Sequence, residues 1–218
     1  MEKKVLKREF SAQKVRDNYS SVAWFYNFWS DITESKAGEW LIDHAELTGD
    51  LDILDVGTGT GKILKRIALK NKKGKNTGVD LSPDMLKRAE KNLQKIGADI
   101  ELKEGSAYKL PFEKECFDRV FVCFMIDLLP ESDFEKLLLE FNRVLRNDGL
   151  LMISYMTFGR NAVTRFWDMM AKRFPKIMTD CRPIDLTPYL KKTGLEIRAG
   201  EYLVQNTFPS FVLAAGKN

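Results

Sequence analysis

The chain has 218 residues, 44% apolar and 30% charged, with 35 Lys and Arg against 31 Asp and Glu for a formal net charge of +4. That length holds one domain with its own core, and the apolar and charged fractions exclude disordered and fibrous classes. No stretch approaches the roughly twenty apolar residues of a membrane span, and the charged first ten residues lack a signal-peptide apolar run.

From residue 50 to 156, short β-branched runs alternate with segments of helical period, which predicts βαβ units and a parallel sheet. Residues 51–56 read as the first strand and end in glycines. Ile63, Leu64, Ile67 and Ala68 then recur at helical spacing, opposite Lys62, Lys65, Arg66 and Lys70. Residues 77–81 are a second strand. Ser82-Pro83-Asp84 opens a helix, with an N-cap serine, proline at the first helical position and an acid at the positive end of the dipole. Met85, Leu86, Ala89, Leu93 and Ile96 give it a buried face, and Gly97 stops it.

Ile100 and Leu102 mark a third strand. Residues 120–126 are almost wholly apolar, as in a central strand covered on both faces. Phe134, Leu137, Leu138, Phe141, Val144 and Leu145 predict a helix closed by Asn147-Asp148-Gly149, and 150–156 is the fifth strand. A helix rich in aromatics and Met follows at 160–174, then an irregular stretch and a short helix at 186–193. The runs 196–204 and 208–215 are separated by three residues, so they form an antiparallel hairpin.

Cys116, Cys123 and Cys181 are odd in number and lack CxxC spacing, which fits reduced thiols in a cytoplasm and neither a disulfide framework nor a metal site. The single histidine, His44, sits in a helical run with Trp40 and Leu41 and reads as packed or solvated. Much of the basic excess lies in the first ten residues and in 70–75. Without interleaved aromatics it reads as a solvated tail and turn in preference to a nucleic-acid patch.

Chemistry concentrates in Asp55-Val56-Gly57-Thr58-Gly59-Thr60-Gly61, between a predicted strand and a predicted helix. A P-loop fails twice, because Val56 holds its first Gly position and Ile63 follows Gly61-Lys62. The dinucleotide fingerprint fails once, at Lys62. What remains is an acid followed by GxGxG, with a second acid, Asp80, at the end of the next strand, where a carboxylate can accept from both ribose hydroxyls.

Leu54 to Gly61, Gly78-Val79-Asp80-Leu81-Ser82, Glu104-Gly105-Ser106-Ala107 with Leu110-Pro111-Phe112, and Phe117-Asp118-Arg119-Val120 with the run from Arg143 to Gly149 occur here in order. In these segments the chain resembles class I S-adenosylmethionine-dependent methyltransferases, in particular the ubiquinone/menaquinone-biosynthesis-like type. Two departures stand out. Ser106 occupies the usual position of an Asp facing the adenine amino group, and Asn147-Asp148-Gly149 replaces a Pro-Gly-Gly turn.

The resemblance implies an α/β, Rossmann-like, seven-stranded and mostly parallel sheet with helices on both faces and a C-terminal antiparallel hairpin. It implies S-adenosyl-L-methionine as cofactor. Asp55 and the loop of Gly57, Thr58, Gly59 and Gly61 would hold the methionine end and Asp80 the ribose. Leu81, Ser106 and Ala107 would lie at adenine, and Cys123 beside the cofactor. The aromatic segment 19–27 is similar to one that folds over the cofactor, with Tyr26 as its contact and Tyr19 a weaker candidate. The chain divides accordingly into a helical lid (1–35), a cofactor-binding core (36–156), a substrate-side insertion (157–185) and a closing helix and hairpin (186–218).

In-line methyl transfer asks a protein for alignment and exclusion of water before it asks for a nucleophile. A base, where the acceptor needs one, is expected at Asp127, just past the fourth strand. No Asn/Asp-Pro-Pro motif follows that strand, which argues against exocyclic base nitrogens as acceptors. The apolar, Met-rich 158–178 segment favours a small-molecule or lipid-like acceptor, and a helix covering a sheet edge explains it equally well. A non-catalytic cofactor- or partner-binding module, an RNA methyltransferase and a nicotinamide dehydrogenase are the alternatives. A homodimer is an option for the assembly.

Overall fold

The computed structural model describes residues 35–175, 178 and 180–218. Seven strands form one sheet: β1 (Asp52–Val56), β2 (Lys75–Asp80), β3 (Asp99–Glu104), β4 (Phe117–Cys123), β5 (Leu145–Met156), β6 (Leu195–Gln205) and β7 (Phe208–Lys217). Their order is β3-β2-β1-β4-β5-β7-β6, parallel through β5, with β7 antiparallel between β5 and β6. This is the predicted mixed sheet with its terminal hairpin. The strand order reverses at β1, so β1 and β4 diverge to opposite halves and open a crevice at their carboxyl ends.

The helices among these residues are α1 (Ser35–His44), α2 (Lys62–Lys70), α3 (Pro83–Leu93), α4 (Phe134–Val144), α5 (Ala162–Arg173) and α6 (Thr187–Lys192). Alternation along the strands assigns the two faces. Leu54, Val56, Val120, Val122, Leu151 and Ile153 share a core with Phe134, Leu137, Leu138 and Phe141 of α4 and Leu190 of α6. On the other face Ile53, Phe121, Met152 and Met156 share one with Ala37, Leu41 and Ile42 of α1, Ile67 of α2 and Ala171 of α5.

Local signals act as expected at α3, where Ser82 Oγ accepts the Met85 N–H and Pro83 takes the first helical position. At α4 they do not: the helix ends at Val144, and Asn147-Asp148-Gly149 lies inside β5, beside a register shift between Phe117 and Arg119. The apolar 120–126 run is also not all strand. β4 stops at Cys123, Phe124 turns to φ 46°, and Ile126–Leu128 is a single 3-10 turn. Phe124 and Ile126 stay buried, so apolarity carried no mark of where the strand ended. At the opposite end of the sheet Arg146 bridges Asp52 and Asp118 (2.7 and 2.6 Å), tying β1, β4 and β5 together.

Candidate functional site

β1 delivers Asp55 and Val56 to the crevice, and the chain then bends through Gly57 at φ 72° and Gly59 at φ 54°, values that L side chains adopt at a cost. The Gly57 and Thr58 N–H groups both donate to Val79 O (2.8 and 3.0 Å), which hooks the loop onto β2. A Cβ on Gly57 would stand 2.7 Å from Met125 Cγ, so the loop approaches the segment after β4 too closely for any other residue. Gly61 is also left-handed, but it caps α2 and lines neither crevice described below.

Asp80 closes the loop from the β2 side. Its Oδ2 accepts the Gly59 N–H at 2.8 Å and its Oδ1 the Ser82 N–H at 2.9 Å. Each oxygen keeps acceptor capacity for a ligand hydroxyl. Burial raises the Asp80 carboxyl above its ordinary value, opposed by these N–H bonds, which favour the charged form.

Two adjoining crevices meet at this loop. The first encloses about 900 Å³, partly open to solvent, and brings together Gly57, Gly59, Asp80, Leu81, Ser106, Ala107 and Cys123 under an apolar wall from Met125, Leu128 and Leu129. Ser106 Oγ accepts the Tyr108 N–H at 3.3 Å, fixing that bend. The second, about 820 Å³, lies on the α1 side of the sheet and adds Asp55, Thr58, Ser35 and Ser154. Cys123 and Phe124 border both. Phe124 holds a left-handed backbone that is costly for an aromatic residue, fixed by its N–H to Ser154 O at 2.9 Å.

The second crevice carries the stronger electrostatics. Asp55 is 2% exposed, accepts the Thr58 hydroxyl at 2.7 Å, and is pushed up to about 7 by burial, reinforced by the neighbouring Asp80 charge and opposed by the Thr58 bond. Such a group favours a cationic partner that would hold it ionised. Ser154 is fully buried between Met152 and Met156, and its hydroxyl makes no hydrogen bond among the described residues. A buried hydroxyl left unpaired costs about 1–3 kcal/mol. The sequence reading missed it, although one hydroxyl in the apolar row 152, 154, 156 was the available signal.

The structure therefore gathers Asp55, Gly57, Thr58, Gly59, Asp80, Leu81, Ser106, Ala107 and Cys123 at one site. Tyr26 and Tyr19 lie outside the described residues. His44 is exposed at the end of α1, stacked on Trp40 with centroids 3.8 Å apart.

Asp127, expected as the base, is not brought to the site. Its 3-10 turn points the carboxylate inward, where Oδ2 accepts the Met156 N–H (2.8 Å) and the Cys181 thiol (3.3 Å). The buried Arg182 guanidinium donates to the carbonyls of Asp127 and Leu129. Burial pushes Asp127 up to about 6 despite the Met156 bond. β4 ends three residues earlier than expected, and the turn at 126–128 puts this side chain in the core.

The described residues fit a nucleoside bearing a charged amino-acid tail: a carboxylate fixed on the glycine bend keeps acceptor capacity for hydroxyls, and an unsatisfied hydroxyl and a buried acid line the adjoining space. A family model described as a methyltransferase domain matches residues 53–149. A demethylmenaquinone methyltransferase from Lactobacillus johnsonii is 30% identical over 186 residues, 82% of this chain and 71% of that protein. A phosphatidylethanolamine N-methyltransferase from Cereibacter sphaeroides is 35% identical over 107 residues, 46% of this chain and 48% of that one. The chain spans about half the length of several curated relatives it matches (47% and 53% of two). In fold it is similar to the crystal structure of magnesium protoporphyrin IX methyltransferase from Synechocystis PCC 6803, with a TM-score of 0.74 at 16% identity over 95% of this chain and 100% of that one. Matching motifs, the seven-stranded order and the Lactobacillus relative lead to one assignment: the chain belongs to the class I S-adenosylmethionine-dependent methyltransferases, in the branch that contains the demethylmenaquinone methyltransferases.

Proposed function

We propose that this protein methylates a small-molecule or lipid-like acceptor with S-adenosylmethionine. The observation that carries the reading is the pairing of the Asp80 carboxylate, fixed by the Gly59 and Ser82 N–H groups, with a buried Asp55 across the glycine bend. Asp80 would accept from the ribose hydroxyls, Leu81 and Ala107 would flank adenine, and Asp55, Thr58 and Ser154 would surround the amino-acid end. When bound, the cofactor supplies an electrophilic methyl group on a sulfonium, which an acceptor takes by in-line displacement. The chain's part is to align the partners, worth up to roughly 7–11 kcal/mol of barrier, and to keep water out.

The first crevice is walled by Met125, Leu128 and Leu129, which suits an apolar acceptor better than a nucleic-acid strand. Relatives named for a demethylated quinone and for phosphatidylethanolamine support that class. Asp127 acts as a positioning residue that holds the turn carrying Leu128 and Leu129. Residues 36–156 serve as the cofactor-binding core and 157–185 as the substrate-side insertion; the lid expected at 1–35 lies, but for Ser35, outside the described residues. No helix among the described residues is long and apolar enough to cross a membrane; the odd number and wide spacing of the three cysteines support a cytoplasmic setting.

Calorimetry with S-adenosylhomocysteine tests the cofactor, and a panel of reduced naphthoquinones, phosphatidylethanolamine and simple amines with labelled methyl donor tests the acceptor. Saturable binding and transfer to at least one apolar acceptor are expected. Absence of heat and of thermal shift at millimolar ligand would refute the cofactor; binding without transfer to any panel member would favour a non-catalytic module.

A further inference from the structure

α5 leaves the carboxyl end of β5, the end that carries the site, and its start is firmly built. Asn161 Oδ1 accepts the Thr164 N–H at 2.9 Å while Thr164 Oγ1 accepts the Asn161 N–H at 3.1 Å. Only Thr164 and Ala171 of this helix are buried. Its outward face is apolar: Val163 is 57% exposed, Phe166 47% and Met169 53%, each three residues from the next and so on one stripe, with Phe174 (44%) continuing past the end.

Cations accompany the stripe. Arg165, Lys172 and Arg173 are exposed, while the one acid of the helix, Asp168, is turned onto the Gly159 N–H at 3.1 Å. An apolar stripe of Phe and Met beside a row of cations is the pattern of a helix lying in an anionic lipid interface.

A second observation links this face to the site. The Trp167 indole N–H donates to Thr207 Oγ1 at 3.0 Å, holding α5 on the β6–β7 turn. Ring centroids then run from Phe166 to Trp167 (5.7 Å), Trp167 to Phe208 (5.5 Å) and Phe208 to Phe124 (6.3 Å), and Phe124 borders both crevices.

We propose that α5 docks the protein on an anionic phospholipid bilayer, with Val163, Phe166, Met169 and Phe174 among the acyl chains and Arg165, Lys172 and Arg173 on the headgroup phosphates. A lipid-like acceptor would then meet the site from this end of the sheet, a step that rests on the methyl-transfer reading; the docking itself does not.

Flotation of the full chain with vesicles of phosphatidylcholine alone, or with added phosphatidylglycerol, tests the docking without cofactor or acceptor. Partition onto the anionic vesicles at low salt is expected, falling steeply at high salt. Phe166→Ser with Met169→Ser should lower it about tenfold or more, and Arg165→Gln or Lys172→Gln about fivefold each. All four positions are exposed, so thermal midpoints and S-adenosylhomocysteine affinity should stay unchanged; the latter separates failure of docking from failure of the cofactor site. Failure of the parent to float with anionic vesicles, or equal flotation of the double variant, would overturn the proposal. So would a concentration-dependent dimer that the double variant abolishes, which would give the stripe to a second copy of this chain.

Discussion

Asp55→Asn is the most informative single change, because it separates the cost that Asp55 imposes on the empty protein from the attraction it offers a ligand. The carboxyl is 2% exposed and burial pushes it up to about 7, from an unfolded value near 4. Between those values the folded chain holds a proton that the unfolded chain has released. Stability is therefore full below about pH 4, declines as the pH rises toward 7, and is level above that. The interval corresponds to about 4 kcal/mol as an order of magnitude. Asparagine has the same shape, keeps an oxygen to accept the Thr58 hydroxyl, and carries no titrating proton. The variant should match the parent near pH 4 and gain on it as the pH rises, by about 10 °C in midpoint at pH 8 for a chain of this size. Asp127 is common to both proteins and cancels in the difference, whereas the repulsion between Asp55 and Asp80 is lost in the variant and forms part of its gain at high pH. S-Adenosylhomocysteine should reverse the ranking. Its ammonium favours ionised Asp55, so the parent should bind more tightly as the pH rises to about 7 and release protons on binding. The variant should bind about 10- to 150-fold more weakly, the equivalent of a charged hydrogen bond of about 1.5–3 kcal/mol. Thermal melts across pH and calorimetry in two buffers of different ionisation heat give both quantities. A stability difference independent of pH, or equal affinities at pH 8, would refute the reasoning.

Other outcomes follow from the same geometry. Asp80→Ala should weaken S-adenosylhomocysteine at least tenfold by calorimetry. It should also lower the midpoint without ligand, because the Gly59 and Ser82 N–H groups lose their acceptor. Gly57→Ala places a Cβ 2.7 Å from Met125 Cγ at a φ of 72°, and chemical denaturation should show a loss of about 1–3 kcal/mol that Met125→Ala partly restores. Ser154→Ala removes a buried hydroxyl without a partner among the described residues, so the empty protein should melt at the same temperature or higher while ligand affinity falls. Asp127→Asn should leave methyl transfer within about threefold and its pH profile unchanged; a drop of about 10²- to 10⁴-fold would restore the residue as a base.

The cofactor half of this site was legible in the sequence because local rules define it. The left-handed turns at Gly57 and Gly59 need glycine, the end of β2 needs an acid, and Ser82-Pro83 starts α3; each is decided within a few residues of itself. The exit from β4 depends on distant partners. Phe124 reaches its left-handed conformation because its N–H meets Ser154 O on β5, and the 126–129 turn is held by Met156, Cys181 and Arg182. Nothing in the run Val120 to Ile126 encodes those contacts, so a buried turn and a buried strand read alike there, and the direction of the Asp127 side chain beyond it was not legible.

Ser154 was missed, and the outward face of the expected helix α5 was left unread, for a related reason. A serine in an apolar strand, or a Phe and Met on a helix, has meaning only once it is known which face the sheet buries. In the folded chain the serine lies under α1 within the second crevice, and the Phe and Met point away from every core. Both departures occur at the carboxyl end of the sheet, where an acceptor must meet the methyl group. Elsewhere pattern and packing agree: α4 buries five of the six apolar residues its period marks, the sixth, Leu145, being buried at the start of β5, and β7 of the hairpin is buried along almost its whole length. A sequence under no demand beyond folding would not keep an unpaired buried hydroxyl, a left-handed phenylalanine and an uncovered aromatic stripe within one region. Their coincidence at that end supports placing the acceptor beside Phe124, where the two crevices meet.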